Sequence, residues 1–167
     1  AFASRSFSRE PATPIHLAVD LPENVELTPN VVDGLGISAD GNTIAFGAVV
    51  DGKPQVLIRK LDSDSLISVK GSAASQGSTE ISPDGQWLAF NADRKLWKVR
   101  VSGGTPTALA EAGWGHVTWA GNNELVFTKN YDTGLSRVSA EGGNPVLLTK
   151  PDRKKGELGH WWPQLLP

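Results

Sequence analysis

The stretch "ISPDGQWLAF", residues 81–90, decides the fold. Pro83-Asp84-Gly85 reads as a tight turn, because Gly supplies a positive φ and Asp can bond its own backbone. Beyond it Leu88 and Phe90 alternate with Ala89, the period of a β-strand. Nearly the same ten residues stand at 37–46, "ISADGNTIAF", with Phe46 and Phe90 44 positions apart. A degenerate third copy, "TWAGNNELVF" at 118–127, follows after 37 positions. There Asn122 replaces Gly85 and is expected to take the positive φ, since Asn tolerates it best after Gly.

A second motif repeats in the same order. "LWKVRVSGGTP" (96–106) matches "LSRVSAEGGNP" (135–145) at an offset of 39, and "VLIRKLDSDS" (56–65) is a looser version. Two motifs recurring at periods near 40 mark a repeat architecture. Within the second unit, strands are predicted at 78–82, 87–91, 96–101 and 106–110, with turns at Asp84-Gly85, Asp93-Arg94 and Gly103-Gly104. Asp40-Gly41 and Gly142-Gly143 are the corresponding turns of the other units. Four short strands in about 40 residues make one propeller blade. No segment carries a capped 3.6-residue period, so almost no helix is expected.

The faces of these strands are legible too. Leu88/Phe90, Ile44/Phe46 and Leu125/Phe127 put bulk on one face, while Ala89, Ala45 and Val126 keep the other small or medium. That pattern suits a sheet covered on both sides. The third strand sets Trp97, Val99 and Val101 against Lys98 and Arg100, which predicts a wetter second face.

The fold class expected is therefore all-β, a β-propeller-type array of four-stranded antiparallel blades. Blade units are placed at about 31–70, 77–111 and 113–150, with the first strand of a fourth at 158–167. Residues 1–14 read as a polar linker, and 15–167 as a partial propeller whose alternating segment 15–21 makes an outer strand. Because closed propellers have four to eight blades, about three are expected to be a fragment of a larger ring. Open blade edges then predict self-association.

Composition narrows the function classes. With 16 Lys and Arg against 18 Asp and Glu, charge gives no reason to expect nucleic acid. There is no cysteine, which removes thiolate chemistry and disulfides. No run reaches the ~18 apolar residues of a membrane helix. Methionine is absent throughout, position 1 included, so the chain is expected to be processed or part of a longer protein.

"ISPDGQWLAF" and "LWKVRVSGGTPTAL" resemble the WD40-like β-propeller repeat of TolB, a periplasmic component of the Tol–Pal system. The same repeat occurs in propeller domains of prolyl-oligopeptidase-like and tricorn-like serine peptidases. It also occurs after the membrane segment of some bacterial receptor serine/threonine kinases. "PDRKKGELGHWWPQLLP" (151–167) is similar to an inter-blade connection of that last group, and "SREPATPIHLAVDLPENVEL" (8–27) to its entry from a juxtamembrane linker. The resemblance implies a non-catalytic sensor or interaction domain, periplasmic or extracellular, tethered by a membrane helix upstream. The alternatives are a substrate-gating peptidase propeller and TolB itself. No kinase motif and no Gly-x-Ser-x-Gly elbow is present, so no catalytic residue is assigned.

His16, His116 and His160 lack ligand-spaced partners, so no metal or cofactor is expected. "DSDS" (62–65) lacks the Gly and distal Glu of a calcium loop and reads as a solvated turn, as does "PDRKK" (151–155). Trp87, Trp97 and Trp119 lie in strands and are read as packing residues. Trp114, His116, His160, Trp161 and Trp162 flank inner strands and are the candidate surface for a protein or small ligand. Inter-blade packing is the favoured role for Trp114, Trp161 and Trp162, and for Trp161 and Trp162 it includes exposure caused by the missing rest of a fourth blade.

Overall fold

A computed structural model describes residues 16, 18–27, 34–73, 75–113 and 115–165. They form three antiparallel sheets. The first holds β1 (Val25–Leu27), β2 (Gly36–Ile37), β3 (Thr43–Val50), β4 (Lys53–Lys60) and β5 (Leu66–Ser68). The second holds β6 (Ser75–Ile81), β7 (Trp87–Ala92), β8 (Lys95–Arg100) and β9 (Thr107–Glu111), paired in chain order. The third runs β10 (Val117–Trp119), β11 (Glu124–Thr128), β12 (Leu135–Ser139) and β13 (Val146–Leu147), again in chain order. One 3-10 turn, Arg153–Lys155, is the helical structure among the described residues. None of it is long and apolar enough to cross a membrane.

The first sheet has five strands because its inner position is divided. β2 pairs with Ile44 and Ala45 of β3, and β1 pairs with Ala48–Val50 of the same strand. The outer strand expected at 15–21 is not seen among the described residues of that segment: 18–21 carry no strand, and pairing begins at Val25. Arg59 instead holds this lead-in by donating to the Asp20 carbonyl oxygen at 2.7 Å.

Ser38 and Ser82 explain why the repeated turn is so constant. Ser82 Oγ donates to Asp84 Oδ1 at 2.5 Å and accepts from Trp87 N at 2.9 Å, while Gln86 N donates to the same Asp84 oxygen. Ser38, Asp40, Asn42 and Thr43 repeat every one of these bonds. Gly41 and Gly85 sit at φ of 73° and 69°. In the third copy the positive φ falls on Gly121 (80°) rather than on Asn122. Gly adopts that region at lower cost than Asn, and Asn122 Oδ1 is left to accept from Asp84 N of the neighbouring blade at 3.1 Å.

Packing follows the large and small faces. Leu88 and Phe90 pack with Ala45, Val56 and Ile58 of the first blade, and Leu125 and Phe127 pack with Ala89 and Leu96 of the second. Ala45, Ile58, Leu88, Phe90, Leu125 and Phe127 are fully buried. The equivalent bulky face of the first blade, Ile44 and Phe46, meets Leu21 and Val25 instead of another sheet. Beyond the third blade, residues 158–165 carry no strand, unlike the expected start of a fourth. A strand needs a partner ladder, and this segment lies against the third blade's loops instead.

Lys98 corrects the expected wet face of β8. It is buried, with its ammonium 4.5 Å from the Trp87 ring centroid and 2.9 Å from Glu141 Oε1 of the third blade. Its aliphatic stem covers the indole while the charge reaches the rim. Arg100 stays exposed, 4.3 Å over the same ring.

Phe90→Ala is expected to cost about 3–5 kcal/mol in urea unfolding, and Phe46→Ala distinctly less. Equal losses would show that the two faces are equally enclosed. Asp84→Ala should cost about 1 kcal/mol at neutral pH through its lost bonds. The Ser82 and Gln86 bonds hold the Asp84 carboxyl below the usual range, so its contribution is complete above that range and is lost as pH falls below it through the lowered folded value. Wild type and variant should therefore converge in an unfolding series taken toward pH 3.

Candidate functional site

The inner strands of all three blades converge. Gly36 lies so close to β6 that a Cβ there would come 2.8 Å from the Thr79 carbonyl oxygen. Thr79 Oγ1 donates to the Gly34 oxygen at 2.8 Å, and Ser78 Oγ accepts from Val117 N at 2.9 Å. These links leave a concave cavity of about 440 Å³ bordered by Ile37, Thr79, Glu80, His116, Thr118 and Trp162.

Glu80 is the acidic group of this cavity. Its Oε1 accepts from Thr118 Oγ1 at 3.0 Å, and its backbone oxygen accepts from Trp119 Nε1 at 3.0 Å. Burial outweighs the Thr118 bond and pushes the carboxyl up to about 6. His116, half-buried, is moved the other way: desolvation holds its imidazole below the ordinary histidine range. Each shift favours the neutral form of its group.

The candidate aromatics divide into two sets. His116 and Trp162 stand with ring centroids 5.0 Å apart, and Trp161 lies 6.3 Å from Trp162. Trp161 also packs edge-on against Tyr131 at 6.3 Å and donates to the Tyr131 carbonyl oxygen at 2.8 Å. The result is a ledge of Tyr131, Trp161, Trp162 and His116 beside the cavity. Tyr131 and Trp162 are 56% and 62% exposed, too open for core packing. Trp162 also has φ 51°, a costly backbone state for a bulky residue.

His160 takes a different part. Its Nδ1 lies 2.7 Å from Thr149 Oγ1 and its Nε2 3.2 Å from Glu157 Oε2, while its N–H donates to the Thr133 oxygen. It fastens the 157–162 segment to the third blade. Trp114 falls outside the described residues. Trp119 is buried and Trp97 donates to the Ala92 oxygen at 2.9 Å, both in packing positions.

Sequence reading passed over Glu80, Thr118 and Tyr131. Glu80 did leave a signal, since Glu is depleted in strands and this one interrupts a strand-like segment. Tyr131 left none, because its role depends on where the chain returns 30 residues later.

Three sheets packed face to face around converging inner strands define a β-propeller-type array. No family model matches the chain. An uncharacterized protein of Agrobacterium fabrum (strain C58) is 27% identical over 135 residues, which cover 68% of this chain and 44% of that protein. The structure of a putative TolB from Agrobacterium tumefaciens superposes with a TM-score of 0.55 at 21% identity, over 74% of this chain and 51% of that one. Oligogalacturonate lyase from Vibrio parahaemolyticus gives 0.58 at 14% identity, over 76% and 42%. The chain thus has a TolB-like propeller fold and spans about half the length of these proteins.

Glu80→Gln should raise stability by about 1 kcal/mol or less at pH 7.5, after discounting for partial solvent access. Glu80 is raised in the folded state, so its penalty is absent below the unfolded value and complete above about 6. At pH 4.5 the variant should match wild type in thermal unfolding. A variant less stable than wild type at pH 7.5 would mean that the ionised group is already compensated.

Proposed function

We propose that this chain is a non-catalytic binding domain of a larger bacterial protein, working outside the cytoplasm. The observation that carries this reading is the exposed ledge of Tyr131, Trp161, Trp162 and His116 beside the inner-strand cavity. Solvent-facing aromatic clusters next to a concavity are what binding surfaces are made from. The rigid sheets hold the ledge, and loops such as 129–134 can vary without disturbing the core.

The parent we favour is a receptor serine/threonine kinase, with this domain as its sensor. The resemblance of 151–167 and 8–27 to the connections of such propellers supports that choice.

Sequencing the gene around this segment tests the reading. A kinase domain followed by a membrane helix ahead of Ala1 is expected. A downstream α/β-hydrolase domain with a Gly-x-Ser-x-Gly elbow would assign the propeller to a peptidase instead.

A further inference from the structure

Glu80 borders the cavity, and among the described residues it forms no ion pair. The ion pairs among the described residues are made elsewhere, on the rims of the blades. Its hydrogen-bond partners, the Thr118 hydroxyl and the Trp119 backbone N–H, bring no charge. Around it, β2 contributes Gly36 and Ile37, β7 pairs Ala89 opposite it, and the returning segment supplies Trp162, Pro163 and Gln164. Among the described residues, the other titratable group bordering the cavity is His116.

A half-desolvated carboxylate accompanied by aromatic rings is suited to a positive charge on an apolar stem. The carboxylate forms a charge-assisted bond, and the ring faces attract the cation through their quadrupoles. A neutral ligand would gain the aromatic contact and leave the carboxylate uncompensated. We infer that the cavity binds an alkylammonium or guanidinium group, with Glu80 as its counter-ion and His116 and Trp162 beside its stem. This deepens the binding-domain reading and rests on it.

The chemistry is shared by a Lys or Arg side chain of a partner peptide and by a free polyamine. Isothermal titration of the purified chain separates them, using N-acetyl-arginine amide, N-acetyl-lysine amide, spermidine and the neutral N-acetyl-citrulline amide. At pH 7.5 at least one cationic probe should bind ten or more times tighter than the citrulline compound. A preference for the amino-acid amides points to a peptide side chain, and a preference for spermidine to a polyamine. Glu80→Gln, checked for native circular dichroism, should lose that margin.

Lowering the pH to 5 should weaken wild-type binding roughly tenfold as Glu80 takes up its proton. Protonation of His116 acts in the same direction, so the pH dependence left in Glu80→Gln measures the histidine. The inference falls if citrulline binds as tightly as arginine, if Glu80→Gln binds like wild type, or if no cationic probe binds. The arginine–citrulline comparison needs no variant, so misfolding cannot obscure it. Equal charged and neutral binding that Trp162→Ala abolishes would leave the binding-domain reading standing and remove only the cation.

Discussion

Bulk on one sheet face set against smallness on the next is the constraint from which the rest of the structure follows. Stacked sheets lie about 10 Å apart, and that space must be filled at crystal-like density without overlap. Leu88 and Phe90 occupy it against Ala45, and Leu125 and Phe127 occupy it against Ala89. Two bulky faces would hold the sheets apart, and two small ones would leave voids. The Leu-Ala-Phe triplet therefore orients each blade relative to the next.

That orientation has chemical consequences at the narrow end. Sheets stacked in this order bring β2, β6 and β10 side by side, close enough that Gly36 has no room for a Cβ. Backbone and short side chains then cross-link the blades: Thr79 to Gly34, Val117 to Ser78, Trp119 to Glu80, Asn91 to Gly115. At the wide end the links are longer and charged, as between Lys98 and Glu141. Glu80 departs from this scheme, being a charge at the narrow end whose partners among the described residues, the Thr118 hydroxyl and the Trp119 N–H, are neutral. Such a residue weakens the free protein, and a bound cation is what would compensate it.

The strand pattern was legible because it is local. Period-two alternation and Asp-Gly turns need only ten residues of context, and β7, β8 and β9 lie within one residue of their expected ends. The misreadings concern groups whose partners are remote in sequence. Lys98 looked like a solvent residue because Glu141 and the packing of Trp87 cannot be seen from β8. Asn122 looked like a turn-former because its acceptor role toward Asp84 belongs to another blade. The 15–21 segment alternates as a strand should, yet alternation supplies no partner, and β3 pairs with β1 and β2. Of the candidate site, the aromatics were legible as unusual residues, but the separation of His160 from the other three required the fold.

The same architecture accommodates a putative TolB and a lyase, so fold alone carries no function here. In this chain the returning segment is anchored to the third blade. The His160 N–H bond to Thr133 and the Trp161 Nε1–H bond to Tyr131 tie it to one loop of the third blade. Trp162, the next residue, is thereby brought to His116 at the mouth of the cavity. All three blades thus contribute to one place: Ile37 from the first, Glu80 from the second, His116 and Thr118 from the third. A ligand seated there touches inner strands whose spacing is set by the Phe90 and Phe127 packing behind them. Any change that respaces the sheets therefore also moves the walls of this cavity.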